Sequence, residues 1–325
     1  MLNICVVGAG QLGSRHLQAL HSVKYELDIY VIDSSAESLR IAKERFDSLG
    51  QNKIGKRIFY FKDFTKIPEN VDICINATNS DARFSTIKEL ISKSNVKYFI
   101  LEKLLFNKKE QYYEVGDIFK NNNIMAWVNC SMRAMKFYND LIEKFKEKKF
   151  TYRVTGSNYG LITNAIHYID HMAYLAQNDD FSINTEFLDR DIIESKRKGF
   201  CELNGRMQVL FNNGASGELI SYCKGTAPLI IEIFDEDNRC ISKECEGIVW
   251  ISSNNDNWIW KSVEAKIPYQ SQMTTRLIED IIEKSDCPLV TFEKSSKYHI
   301  ILLDALNQHL KYKCNNDTKN IYPFT

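Results

Sequence analysis

Lys103 stands where a strand should end. In VKYFILEKLLFNKKE the apolar run Tyr98–Leu101 reads as a buried strand, and it stops on the charged pair Glu102-Lys103 before apolar residues resume. A lysine held there could hydrogen-bond a reacting oxygen and move its proton. His167, in ITNAIHYIDHMAYLAQ, offers a second acid/base group on a stretch that reads as helix. Ahead of both lies ICVVGAGQLG, a strand that runs into Gly8-x-Gly10-x-x-Gly13 and then a helix. Each glycine answers a physical need: Gly8 a tight turn, Gly10 close approach of backbone to a pyrophosphate, Gly13 packing of the helix on the strand. Gln11 and Leu12 belong to the same turn, where the N–H groups of a helix start are offered to the phosphate.

Asp33, in YVIDSS, lies twenty positions beyond Gly13 at the end of the next strand. A carboxylate there can accept hydrogen bonds from the adenosine ribose and repel a 2′-phosphate; Ser34 and Ser35 follow in place of arginine, so NAD is favoured over NADP. Plainer readings stand beside these. Asp33 could cap a helix beginning near Ala36, Lys103 could be a solvated strand-end lysine, and His167 a satisfied helix histidine. His167 and His171 are four apart, but Tyr168-Ile169-Asp170 between them gives no HExxH and no third ligand is evident, so no metal is expected.

The elements that must position these groups change character along the chain. Up to about residue 127, β-branched runs (Asn3–Val7, Asp28–Ile32, Ile58–Phe61, Asp72–Asn76, Tyr98–Leu101, Met125–Val128) alternate with helical stretches, which predicts a doubly wound parallel sheet. Beyond that, a helix around His167 is followed by half-polar alternating segments at Arg206–Phe211, Ser216–Cys223, Leu229–Phe234, Ile248–Ser252 and Trp258–Ile267, which predict a mostly antiparallel sheet. Helices around Thr274–Glu283 and Lys294–Lys311 close the chain, and NNDTKNIYPFT reads as a loose tail or surface strand. The expected fold is therefore α/β, with domains at 1–127 and 128–325.

Bulk properties exclude several function classes. Forty-two basic side chains balance forty-two acidic ones, which gives no electrostatic footprint for nucleic acid or anionic lipid. No apolar stretch is long enough to span a membrane, and the opening MLNICVVGAG begins a strand at once, as in a cytoplasmic chain. Nine cysteines without a CxxC pair, several in apolar runs (Cys5, Cys74, Cys130, Cys223), read as small buried hydrophobes in a reducing compartment.

GAGQLGSRHLQAL with His16 after the glycines, INATNSDARF, and the strand-end Glu102-Lys103 resemble the Gfo/Idh/MocA oxidoreductases, the family of glucose–fructose oxidoreductase and inositol dehydrogenase, over nearly the whole chain. The resemblance implies a Rossmann domain, then an α/β domain with a large open sheet. It implies hydride transfer between NAD and a hydroxyl or carbonyl carbon of a sugar or sugar derivative, nucleotide-activated ones included. Lys103 falls on the family's lysine, which reaches the substrate oxygen beside the nicotinamide, with Leu104 in place of a proline; Glu102 belongs to the same motif. A desolvated lysine beside a cationic nicotinamide is expected to have a lowered pKa. Ala77-Thr78-Asn79 matches the family's Ala-Thr-Pro turn near the nicotinamide ribose, and Arg83 stands where many members have histidine.

The family's Asp-x-Gly-x-His signature reads Thr163-Asn164-Ala165-Ile166-His167 in this chain, so His167 matches while Thr163 replaces a catalytic aspartate. Positions 163 and 167 share a helix face, where an aspartate could have oriented the histidine. Asn129 and Arg133 are further candidates to reach the substrate, Arg133 equally a structural anchor. The family's open sheet packs on another subunit, which implies a homodimer or homotetramer. Thr163 keeps two other readings in view: a non-catalytic NAD-binding sensor or scaffold, and a reductase of an imino or pyrrole-type substrate.

Overall fold

The structure, a computed structural model, describes residues 1–50, 54–316, 318–319 and 321–325. In chain order the elements begin β1 (Leu2–Val7), α1 (Gln11–Leu20), β2 (Leu27–Ile32), α2 (Ala36–Asp47), β3 (Lys56–Phe61), β4 (Asn70–Asn76), α3 (Arg83–Lys93), β5 (Asn95–Leu101), α4 (Lys109–Asn121) and β6 (Met125–Val128). Short helices α5 (Lys136–Asp140) and α6 (Ile142–Phe145) precede β7 (Thr151–Ser157), α7 (Leu161–Ala176), β8 (Phe181–Leu188), β9 (Ile193–Glu194) and β10 (Cys201–Glu202). There follow β11 (Gly205–Phe211), β12 (Ser216–Tyr222), β13 (Ile230–Phe234), β14 (Asn238–Lys243), β15 (Ile248–Ser253) and β16 (Lys261–Glu264). The chain closes with α8 (Gln270–Lys284), β17 (Val290–Thr291) and α9 (Phe292–Lys313).

These elements form two compact units, Met1–Asn129 with Pro268–Glu293, and Cys130–Ile267 with Lys294–Thr325. The sequence pattern put one boundary after residue 127 and kept everything beyond it together. The chain instead returns to the first unit, because α8 lies along α1 and buries Leu277, Ile278 and Ile281. Thr275 Oγ1 donates to Ala19 O at 2.8 Å in that contact, and β17 adds an antiparallel edge to β6. No periodicity in α8 itself could announce which unit it would cover.

In the first unit the strand order is β17-β6-β5-β4-β1-β2-β3, parallel throughout except β17. Near-continuous apolar runs suit strands covered on both faces: Ile4, Cys5, Val6, Ile73, Cys74, Ile75, Phe99 and Ile100 are essentially inaccessible. Reversal of the strand order between β1 and β4 opens a crevice at the strand ends, the place where such sheets bind ligands.

In the second unit the order is β16-β15-β14-β13-β7-β12-β11-β8, antiparallel except where β7 meets β12. Strands such as β7 and β14 alternate strictly between buried and half-buried residues, so one face is covered and the other is open. On the covered side α7 comes so close that a Cβ on Gly217 would sit 2.2 Å from Met172 Sδ. On the other side, exposed Phe187, Leu210 and Tyr222 accompany the charge row Arg206, Glu218, Arg153 and Glu232.

Four expectations change. Polar β8 and β14, absent from the expected strands, are strands through their ladder partners: β14 lies between β13 and β15, and β8 pairs with β11 at the sheet edge. The expected strand Trp258–Ile267 shrinks to Lys261–Glu264, since Asn257 and Trp258 take positive φ values of 52° and 59°. Cys223 is exposed, whereas Cys5, Cys74 and Cys130 are buried. The expected loose tail is tucked in: Tyr322 and Phe324 are buried, and Pro323 O accepts from Cys201 N at 2.7 Å.

Candidate active site

The glycine turn has the form its spacing demands. Gly8 takes φ +88°, and a Cβ on it would meet Thr78 N at 2.9 Å; a Cβ on Gly13 would lie 1.7 Å from Gly8 O. Both positions are closed to any other residue. At Gly10 the surroundings reverse: no atom lies within 4 Å of the position a Cβ would take. Among the described residues no side chain caps α1 and no acidic residue lies in its first turn. Open space beside the N–H groups at a helix start is a cradle for a phosphate anion.

Asp33 does not cap α2; Ser35 does, accepting from Ser38 N at 3.1 Å. The Asp33 carboxylate instead accepts from Ala9 N at 2.7 Å and Ser35 N at 2.8 Å, tying the glycine turn to the end of β2. A carboxylate oxygen has two lone pairs, so acceptor capacity remains for ribose hydroxyls. The turn Ala77-Thr78-Asn79 sits against Gly8 and is held by Asn76, whose Oδ1 accepts from Thr78 Oγ1 at 2.7 Å. Buried Arg83 binds the carbonyls of Thr78, Leu104 and Leu105, and so clasps this turn to the one that follows Lys103. Gln11 accepts from Arg45 at 3.0 Å, and Leu12 is half-buried.

Glu102 and Lys103 leave β5 between the ends of β4 and β6. Glu102 N donates to Asn76 O at 3.0 Å and Asn129 N to Leu101 O at 2.8 Å. Both charged side chains are buried, and the Lys103–Leu104 peptide bond is cis. Glu102 belongs to a closed ring of side chains. Its Oε1 accepts from His16 Nε2 at 2.9 Å and Asn129 Nδ2 at 2.6 Å; Asn129 Nδ2 also donates to Gln270 Oε1 at 3.1 Å. Gln270 Nε2 donates to Thr274 Oγ1 at 2.9 Å, and Thr274 Oγ1 meets His16 Nδ1 at 2.8 Å. One proton arrangement serves every bond: His16 carries its proton on Nε2, and the Thr274 hydroxyl donates to Nδ1. Burial alone would raise the Glu102 carboxyl, but hydrogen bonds from His16 and the Asn129 amide, with the Lys103 charge, hold it at about 2. The ring thus keeps an anion at the base of the lysine. Gln270 and Thr274 were invisible to sequence reasoning, being more than 160 residues away from Lys103.

In the second unit, α7 carries Thr163, Asn164, His167 and Tyr174 half-buried on an otherwise buried helix. No carboxylate stands at position 163, yet one lies beside it. Glu202, from β10, accepts from Ile162 N at 2.6 Å, Thr163 N at 3.1 Å and Leu203 N at 3.0 Å, closing the start of α7. Thr163 Oγ1 donates to Thr325 O at 3.4 Å. No local signal in CELNG marks Glu202, because Ile162 and Thr163, the helix start it closes, lie 40 and 39 residues upstream.

Two further expectations meet firm partners. Arg133 forms a bidentate pair with buried Asp170 (Nε–Oδ2 2.9 Å, Nη2–Oδ1 2.6 Å) and lies over the Tyr174 ring. Burial pushes Asp170 up to about 6 in spite of that cation. Asp170 and His171 are both fully buried. His171 is fully buried between the Tyr152 hydroxyl and Tyr138 O, and burial lowers it to about 4. Among the described residues no three His, Cys, Asp or Glu side chains gather as metal ligands would, and no helix is long and apolar enough to cross a membrane.

No family model matches the chain, and no curated protein matches it. Solved structures do. UDP-N-acetylglucosamine 3-dehydrogenase from Acidithiobacillus ferrooxidans superposes with a TM-score of 0.68 at 13% identity, covering 94% of this chain and 96% of that one. An oxidoreductase from Agrobacterium radiobacter, in complex with NAD+, L-tartaric acid and magnesium, gives 0.69 at 14% identity over 97% and 96%. A super-repressor mutant of Gal80p from Saccharomyces cerevisiae gives 0.72 at 14% identity over 95% and 96%. Over nearly its whole length, the chain has the two-unit α/β fold of these proteins.

Proposed function

We propose that this protein is an NAD-dependent oxidoreductase acting on a CH–OH group of a sugar or sugar derivative. The observation that carries the reading is the glycine turn, sterically closed at Gly8 and Gly13, open at Gly10, and tied to Asp33. Gly8, Gly10, Gln11, Leu12, Gly13, Asp33, Ala77, Thr78 and Asn79 would hold the dinucleotide, with Glu102 and Lys103 at its nicotinamide end. When bound, NAD supplies the acceptor or donor of hydride. Lys103 holds the substrate hydroxyl and takes its proton as the carbonyl forms; His167 is the partner acid/base. Glu102, kept ionised by His16 and Asn129, fixes the backbone and the field from which Lys103 works. Asn129 and Arg133 are the further candidates for substrate contact. The sugar-type substrate is supported by the fold shared with a UDP-sugar dehydrogenase. Self-association through the open sheet is supported by exposed Phe187, Leu210 and Tyr222.

Lys103→Met is the test. Turnover of NAD+ with a panel of sugars and sugar acids, read at the NADH absorbance band, is expected to fall by about 10³-fold or more. NAD+ affinity by titration calorimetry should stay within a factor of about two. Undiminished turnover would overturn the assignment. A second reading, a non-catalytic NAD-binding protein, is favoured by Thr163, which cannot carry charge, and by the fold shared with a super-repressor mutant. It predicts NAD+ binding with no turnover of any substrate in the panel.

A further inference from the structure

Between the start of α7 and the hairpin β9–β10 lies a cleft of about 360 Å³, wholly within the second unit. That is within the size range of small-molecule sites, roughly 300–1,000 Å³. The hairpin pairs Glu194 with Cys201 and Ile193 with Glu202. Its tip is closed by Ser195 N to Phe200 O at 2.8 Å and Phe200 N to Arg197 O at 3.2 Å. The tip reads Lys196-Arg197-Lys198, and the first two of these cations line the cleft. Among the described residues neither Lys196 nor Arg197 has an ion-pair partner.

The other lining groups are polar in a way that suits hydroxyls. Asn164 and Thr163 come from α7, and the buried hydroxyl of Tyr159 has no hydrogen-bond partner among the described residues. Two acidic side chains, Glu202 and Glu194, also line the cleft. Glu202 is turned to the backbone, where it accepts from the amides of Ile162, Thr163 and Leu203. It also fills the helix start, so an incoming anion must be taken by side chains. Glu194, exposed on the hairpin edge, and buried Thr325 complete the lining opposite Lys196 and Arg197.

We propose that this cleft binds the anionic group of a polyhydroxylated substrate, a sugar carboxylate or a sugar-linked phosphate, with Arg197 and Lys196 as its partners. The planar fork of Arg197 matches either group in bidentate fashion, and Lys196 adds a mobile point charge. Tyr159 and Asn164 meet hydroxyls of the same ligand. Thr163 lies at the cleft and His167 one helical turn beyond it, about 6 Å along the axis, so the anion would be anchored a short distance from the acid/base histidine. This deepens the oxidoreductase reading by naming the substrate as charged, and it rests on that reading only for calling the ligand a substrate.

The full-length protein should be titrated calorimetrically with UDP, with glucuronate and with glucose, and separately with NAD+. UDP or glucuronate is expected to bind at least about tenfold more tightly than glucose, the scale of one charge-assisted hydrogen bond. UDP binding identifies the phosphate source and glucuronate binding the carboxylate. The double variant Lys196→Ala/Arg197→Ala should lose at least about tenfold in that affinity, with Tm and NAD+ affinity unchanged. Arg197→Lys should lose less. The proposal is overturned if neither anion binds, if glucose binds as tightly, or if the double variant binds like the parent. Loss of the NAD+ result alone would strike the oxidoreductase reading and leave the cleft standing.

Discussion

Two buried carboxylates, one in each unit, sit among strong donors and are driven in opposite directions. Glu102 has a histidine and an amide on one oxygen, and is held at about 2. Asp170 has a bidentate arginine, yet burial pushes it up to about 6, with the neighbouring Asp179 charge adding to the rise. A full cation is therefore no guarantee of a stable anion. Desolvation of the pair must be repaid, and at Asp170 it is not. At Glu102 the ring donors are themselves fixed by Gln270 and Thr274, so little reorganisation is needed to stabilise the charge. One carboxylate is arranged to stay charged, the other to hold an arginine in place.

The contrast can be broken at either end. Arg133→Met should have the largest effect, leaving Asp170 buried without its cation and costing about 3–5 kcal/mol at pH 7 in urea unfolding. That cost should shrink at pH 5, where Asp170 takes a proton; an equal cost at both pH values would refute the role of burial. Glu102→Gln comes next. The folded pKa of Glu102 lies below its unfolded value, so its contribution is present above about pH 4.5 and lost as pH falls through about 2. The variant should lose on the order of 3 kcal/mol at pH 7 and unfold less steeply in acid. Asp170 has the opposite sign: its stability contribution is full below its unfolded value and lost as pH rises through about 6. Thr274→Val should be the mildest, about 1–2 kcal/mol, because it leaves His16 Nδ1 and the Gln270 amide short of a partner. A turnover loss in Thr274→Val with unchanged NAD+ affinity would show that the ring also sets the geometry of Lys103.

Much of the first unit was legible because each of its signals is local. Strand, glycines, helix and Asp33 are read within thirty-three residues, and every strand expected there exists. Lys103 was legible by position at the end of β5. The groups that shape its surroundings were not: Gln270 and Thr274 reach Glu102 only through Asn129 and His16, and a glutamine on a helix carries no sequence signature of such a contact. In the second unit, half-polar strands such as β8 and β14 resemble loops until their neighbours pair with them. Thr163 marked in the sequence the place where the family's carboxylate is replaced; Glu202, the carboxylate beside it, comes from another element.

The return of α8 to the first unit has a consequence for synthesis. Residues 130–267, a stretch of 138, must leave the ribosome between the two parts of the first unit. At about 5–20 residues per second that is a delay of roughly 7–28 s, during which His16 and Glu102 wait for Gln270 and Thr274. The second unit waits as well, since residues 294–325 belong to it. Neither unit can be finished before the other is nearly made, so the nascent chain is expected to mature in one late step. Ribosome-bound chains ending at residue 267 should be cleaved by protease within residues 1–129, where full-length chains resist; equal resistance would show that the first unit closes early.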